Sequence, residues 1–275
     1  MAIQASRQAI YRLFMDHHQQ AANPRNGSHA GLILNKFLPK FDNNDLNKGE
    51  ARIRLFQMAI DALNEALPLY RIAYARYLNA LDHALIRFFE ATGRMAIGLG
   101  ATTVLETGVT LHYTYGTPYL PGSAIKGLAS SYCSQVWGRE DAHFGMDGKY
   151  YKTLFGTQAS AGFLTFHDAW IDPDTLSNSL LLDVMTVHHP DYYSSKPENV
   201  VAPTDFDDPN PVSFLSIKGR FAVPISCEVQ NEEGKRWTEL AMELVTEALQ
   251  EWGIGAKTYS GYGQMNPIDG SQKCD

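Results

Sequence analysis

Apolar residues recur every three or four positions across residues 50–90: Ile53, Phe56, Ile60, Leu63 and Leu67, then, beyond Pro68, Tyr74, Leu78, Leu81, Leu85 and Phe88. That period puts them on one face of a helix, so the segment predicts two helices or one helix kinked at the proline. Upstream, residues 1–48 open with a short amphipathic stretch (Ile3, Ile10, Leu13 and Phe14) and then turn polar. After Gly93 the period drops to two. Val109, Leu111 and Tyr113 alternate with Thr110, His112 and Thr114, which predicts a half-buried strand. A turn around Pro121 leads into a helix ending near Trp137, with Ser123 as its expected N-cap. Residues 162–171 alternate again, 172–211 form an insertion rich in Pro, Asp, His and Tyr, and 212–225 predict a further strand or hairpin. Trp237, Leu240, Leu244, Val245, Ala248, Leu249 and Trp252 mark a helix over 237–251, with Thr238 as N-cap and Gly253 as stop. A short strand at 262–265 follows.

From about residue 100 the order is β-α-β, insertion, β-α-β. The expected fold class is therefore α+β: a ferredoxin-like (RRM-like) domain over 101–275, its antiparallel sheet backed by two helices. Residues 1–100 form an N-terminal helical extension, and the insertion 172–211 precedes the third core strand. The same architecture hosts many functions, so topology decides none of them.

Composition narrows the class. The 275 residues are 44% hydrophobic and 19% charged, as in a globular protein. No run of about 18 apolar residues and no signal-peptide core is present, so neither a membrane span nor secretion is expected. Cys133, Cys227 and Cys274 are widely spaced and form no C-x-x-C pair, which fits a reduced cytoplasm and no Cys-based metal site. The net charge of −7 disfavours a free-standing, nonspecific nucleic-acid binder. The charge is unevenly spread: residues 1–100 hold 12 of the 23 Lys/Arg and 8 of the 30 Asp/Glu. A local anion site and a protein partner elsewhere remain open.

The densest chemistry lies in Trp252-Gly253-Ile254-Gly255-Ala256-Lys257-Thr258-Tyr259-Ser260-Gly261-Tyr262-Gly263. Glycine permits positive φ and close approach, so such a loop can aim N–H groups at an anion while Lys257 and the hydroxyls add charge and hydrogen bonds. Ala256 between Gly255 and Lys257 breaks the Walker A spacing, Thr258 stands where a dinucleotide fingerprint needs glycine, and the loop follows a helix instead of opening one. The alternative reading is a Schellman-type helix end followed by a tight turn into a strand.

Three separated segments carry a family resemblance. Pro121-Gly122-Ser123-Ala124-Ile125-Lys126-Gly127 resembles the P-G-S-x-x-K-G signature of the CRISPR RAMP superfamily. Gly253 to Gly263 resembles its G-x-G-x(5)-G-x-G loop, and Gly162-Phe163-Leu164-Thr165-Phe166-His167-Asp168-Ala169 its second strand. Tyr115-Gly116-Thr117-Pro118-Tyr119, the run Leu182 to Tyr193 and Pro209 to Leu215 are similar to the sixth RAMP subunits of type III-B (Cmr) effector complexes. The resemblance covers roughly residues 103–266.

It implies a RAMP fold and a noncatalytic subunit without cofactor or metal. Its partners would be CRISPR RNA, with target RNA as a further candidate, and other RAMP subunits, above all the repeated backbone subunit. Guide RNA must be gripped by its sugar–phosphates so that its bases stay free to pair. The implied contact residues are Ser123, Lys126 and Gly127 on the first helix and Gly253, Gly255, Lys257, Thr258, Tyr259, Ser260, Gly261 and Gly263 on the loop. The alternative is a CRISPR RNA-processing endoribonuclease using His112 or His188 as general acid/base. His167 and Asp168 cannot act together within one strand, where neighbours point to opposite faces. His188, His189 and Asp191 are weighed as metal ligands and set aside as structural or interface-forming.

Overall fold

The computed structural model describes residues 29–37, 48–103, 105, 107–189, 192, 195 and 200–268. The stretch with Ile3, Ile10, Leu13 and Phe14, and Asp191, lie outside them. Helix α1 (Ala30–Lys36) is capped by His29, whose Nδ1 accepts the Leu32 N–H at 3.2 Å. Helix α2 (Lys48–Ala80) runs through Pro68 as a single element. Its apolar positions continue in rhythm past Leu81, and there the expectation fails: the chain turns and enters strand β1 (Leu85–Ala91).

Strand β2 (Tyr119–Leu120) precedes helix α3 (Gly122–Tyr132), which a π turn extends over Cys133–Trp137. Helix α4 (Lys149–Phe155) leads to β3 (Leu164–Phe166) and β4 (Ala169–Ile171), two halves of one interrupted strand. Helix α5 (Pro173–Leu176) and strands β5 (Leu180–Val187) and β6 (Asn210–Ile217) make up the insertion. Strand β7 (Arg220–Cys227), helix α6 (Glu232–Glu251) and strand β8 (Met265–Ile268) complete the core.

The main sheet runs β2-β4-β7-β1-β8, with β3 also on β7, and its pairs are antiparallel. Counting β3–β4 as one, the core strands lie in the order second, third, first, fourth, the ferredoxin-like arrangement. Its first strand is Leu85–Ala91, not 109–114. Central in the sheet, β1 registers Leu85 to Ile225 through Glu90 to Arg220 on one side and Phe88 to Ile268 on the other. Its burial is mixed (Leu85 to Phe88 half-buried, Phe89 and Ala91 buried, Glu90 exposed), and the apolar pairs Leu85-Ile86 and Phe88-Phe89 break the alternation that would identify a strand. Residues 109–114 alternate, yet their pairing is a single bridge from Leu111 to Pro118. The ferredoxin-like part therefore begins inside the segment assigned to the helical extension.

Helices α3 and α6 pack against each other and against the sheet. The Tyr132 hydroxyl donates to Glu251 (2.8 Å) and the Trp137 indole N–H to Glu247 (2.7 Å), joining them at their edges. Helix α2 lies along the outer edge: Tyr70 donates to the Ile171 carbonyl, Tyr77 to that of Asp168, and the Tyr77 ring stacks on Trp170 with centroids 4.3 Å apart. One apolar core contains Phe56, Leu63 and Tyr70 of α2 together with Phe89, Phe221 and Leu249. Segment 212–225 is divided at Gly219: β6 pairs with β5 in a separate two-stranded ribbon, while β7 enters the main sheet. Helix α6 starts earlier than expected, capped by Asn231, and the Thr238 hydroxyl donates back to the Gly234 carbonyl inside the helix. Among the described residues no helix is long and apolar enough to cross a membrane.

Candidate functional site

Helix α6 stops as the sequence predicts. Gly253 takes φ 73° and its N–H closes on the Ala248 carbonyl at 3.0 Å. Gly255, Lys257, Gly261 and Gly263 also have positive φ, and Thr258–Ser260 form a 3-10 turn. The loop folds back on itself and on residues 94–96: Ile254 N–H donates to Gly263 O (2.9 Å), Gly263 N–H to Arg94 O (2.9 Å) and Ala256 N–H to Ala96 O (2.8 Å). A Cβ on Gly263 would run into the Ile254 carbonyl, and one on Gly255 would lie 2.6 Å from Ala96 O. These two glycines are thus required by the loop's own folding. The N–H groups of Gly255, Lys257, Thr258 and Tyr259 make no hydrogen bond to another described residue. The loop accordingly offers a short run of donors, with most of its other amides spent on holding that run in place.

The start of α3 differs from expectation. Pro121 occupies the N-cap position, Ser123 is exposed in the first turn, and the Gly122 N–H donates to Asp168 Oδ1 at 2.7 Å. Asp168 stands at the interruption between β3 and β4, so its side chain can reach across to the helix. A carboxylate already complements the helix end, and Ser123 neither caps it nor leaves it as a vacant anion site. Lys126 is half-buried without an ion pair among the described residues.

One turn further, α3 faces the loop across a cleft of about 680 Å³, lined among others by Gly127, Ser131 and Gln135 on the helix and by Gly255, Thr258 and Tyr259 on the loop. Two motifs separated by more than a hundred residues thus share one cavity. Gly253 also lines it, whereas Ser123, Lys126, Lys257, Ser260, Gly261 and Gly263 stand outside its wall. Ser131, Gln135 and Glu251, which also border it, were not foreseen. Positions 127, 131 and 135 repeat every four residues, a spacing that could have shown the helix face they share.

Behind the loop, Arg94, Asp183 and Tyr262 form a network. Arg94 Nη1 lies 3.0 Å from Asp183 Oδ2 and donates to the Leu182 carbonyl, and Tyr262 donates to Asp183 at 2.9 Å. Burial pushes the Asp183 carboxyl upward, but hydrogen bonds from Tyr262, the Val184 N–H and Arg94 outweigh it and hold the group below its usual value.

His112, His167 and His189 are engaged structurally. His112 Nδ1 accepts the Thr114 N–H at 3.2 Å and its ring meets Trp170 edge-on at 4.8 Å; burial lowers its pKa. His167 contacts Ser226 Oγ at 2.8 Å, and burial lowers its pKa as well. His189 pairs with Asp207 at 2.9 Å; hydrogen bonds from Thr204 and His189 depress that carboxyl to about 2. His188 is exposed. Among the described residues no three His, Cys, Asp or Glu side chains converge as a metal set.

Residues 88–266 match the family model of the RAMP superfamily. The chain is 28% identical to the CRISPR system Cmr subunit Cmr6 of Pyrococcus furiosus, over 91% of this chain and 88% of that protein. It is 26% identical to a Cmr6 subunit of Saccharolobus solfataricus, over 67% of this chain and 58% of that protein. Among solved structures, a chain from the cryo-EM structure of the type III-B Cmr-beta bound to cognate target RNA aligns with a TM-score of 0.57. It is 18% identical, over 98% of this chain and 91% of that one.

Proposed function

The chain belongs to the RAMP superfamily, and from that premise we propose that it is a noncatalytic RNA-binding subunit of a type III-B CRISPR ribonucleoprotein effector complex. It grips the 3′ part of the CRISPR RNA and caps the filament of repeated backbone subunits, in cytoplasmic defence against foreign RNA. The observation that carries this reading is the cleft where the glycine loop and Gly127 meet, in a chain resembling a Cmr6 subunit over 91% of its length.

The chemistry of the cleft suits a guide-holding role. Backbone N–H groups and a nearby ammonium grip phosphate without reading sequence, and they leave a guide's bases free to pair. One observation in favour of the noncatalytic assignment is that His112 Nδ1 already accepts the Thr114 N–H, which occupies the lone pair a base would use.

The test is reconstitution of the effector particle with Lys257→Glu. Replacing the loop's ammonium by a carboxylate is expected to abolish retention of the guide while the subunits still assemble. Guide retention at the wild-type level overturns the reading. Cleavage of repeat RNA by the purified wild-type chain would replace it with the processing endoribonuclease.

A further inference from the structure

The two walls of the cleft differ in chemistry. On the loop side stand the unpaired N–H groups of Gly255 and Thr258, while Lys257, between them in sequence, lies outside the wall. On the helix side stand Ser131, Gln135 and the Glu251 carboxylate, which the Tyr132 hydroxyl holds at 2.8 Å. A phosphate is attracted to the first wall and repelled by the second. A neutral base, with hydrogen-bond donors and acceptors on its edge, is compatible with the second. At about 680 Å³ the cleft falls in the range of small-molecule pockets and is large enough for one nucleotide.

Tyr259 lies at the mouth. Its side chain is fully exposed (108% relative accessibility), and it sits on a turn that is rigidly held. Lys257 is left-handed, Ser260 N–H donates to Lys257 O (2.9 Å) and Gly261 N–H to Thr258 O (3.0 Å). An exposed aromatic ring on a fixed turn offers a flat face for stacking, and because the backbone beneath it is already ordered, a flat partner has only the side-chain torsions left to fix.

We infer that the cleft takes a single nucleotide of an unpaired strand, with its sugar–phosphate along Gly255–Thr258 and its base turned inward against the Tyr259 ring. This deepens the RNA-binding reading and rests on it: it assigns the loop one splayed nucleotide instead of a stretch of stacked duplex. A paired base cannot enter, since its faces are covered by its neighbours and its edge by its partner.

The test uses effector particles assembled from the full chain, its partner subunits and a guide carrying 5-iodopyrimidines. Irradiation is expected to join the guide to Tyr259. Base–aromatic stacking worth about 1–3 kcal/mol predicts guide binding roughly 5- to 150-fold weaker for Tyr259→Ala and nearly unchanged for Tyr259→Phe. If adducts avoid Tyr259 and Tyr259→Ala binds normally while Lys257→Glu does not, stacking is overturned and the RNA-binding reading stands. If no adduct forms anywhere on the chain and Lys257→Glu is silent, both fall.

Discussion

The Tyr262 hydroxyl donates to Asp183 Oδ2 at 2.9 Å, and through that bond the glycine loop is fastened to the two-stranded ribbon β5–β6. Arg94 completes the joint from below: its guanidinium meets the same carboxylate, and its backbone carbonyl accepts the Gly263 N–H. Three segments distant in sequence therefore meet at one carboxylate. Ribbon and loop are expected to be coupled through it.

That coupling is measurable. Tyr262→Phe removes one hydrogen bond to a charged acceptor and is expected to cost about 1.5–3 kcal/mol in urea unfolding. Asp183→Asn is expected to cost more, because it also deprives Arg94 of its partner. In a double-mutant cycle the two changes should fall short of additivity by about 0.5–3 kcal/mol. Strictly additive losses would mean that ribbon and loop are independent.

The same carboxylate sets an acid limit. Its folded pKa lies below the unfolded value of about 3.9, so its contribution is complete above that value and disappears as pH falls through the folded one. Stability measured downward from about pH 5 should decline more steeply in the wild type than in Asp183→Asn. Parallel curves would remove Asp183 from the acid response.

His112 gives a separate limb nearer neutrality. Its folded pKa is lowered, so the unfolded chain binds the proton more readily and stability drops as pH falls through about 6.5, levelling below the folded value. His112→Phe should flatten this limb between about pH 7 and 5 and leave guide retention intact. Loss of RNA cleavage by the particle in His112→Phe would contradict a purely structural role for this ring.

The glycines of the loop are not equivalent. Gly261 has φ 83° and open space around its Cα, so Gly261→Ala meets only left-handed strain, on the order of 1 kcal/mol. Gly263 has the same strain and a carbonyl in the way, so Gly263→Ala must displace backbone and is expected to cost at least twice as much. Thermal unfolding of the two variants separates the cases, and equal losses would show that the loop relaxes freely.

Much of this was legible in the chain, for identifiable reasons. The family segments, the β-α-β order and the stop at Gly253 depend on local chemistry: a positive φ, a helix end, a strand-to-helix turn. What failed depended on distant partners. Leu81, Leu85 and Phe88 keep a helical step although the last two lie in a central strand, whose apolar pairs Leu85-Ile86 and Phe88-Phe89 break the alternation of a strand. Ser123 looks like an N-cap until Asp168, 45 positions later, reaches the same helix end. Ser131, Gln135 and Glu251 acquire their place only once α3 faces the loop. Nothing within a short window distinguishes them from any solvated helix surface.

Gly127 allows stability and binding to be separated. It lies inside α3, is exposed, and a Cβ there would touch nothing within 4 Å. Gly127→Ala should therefore stabilise the chain by roughly 0.5–1 kcal/mol through helix propensity, with the cleft barely narrowed. Gly127→Phe adds a ring that projects into the cleft from the same open position; the fold should tolerate it, while guide retention falls tenfold or more. If the cleft were a by-product of packing, both variants would keep the guide, and the glycine would mark nothing more than a weak spot in the helix. A phenylalanine variant that melts like the alanine variant yet releases the RNA would show that the absence of a side chain at residue 127 serves the ligand.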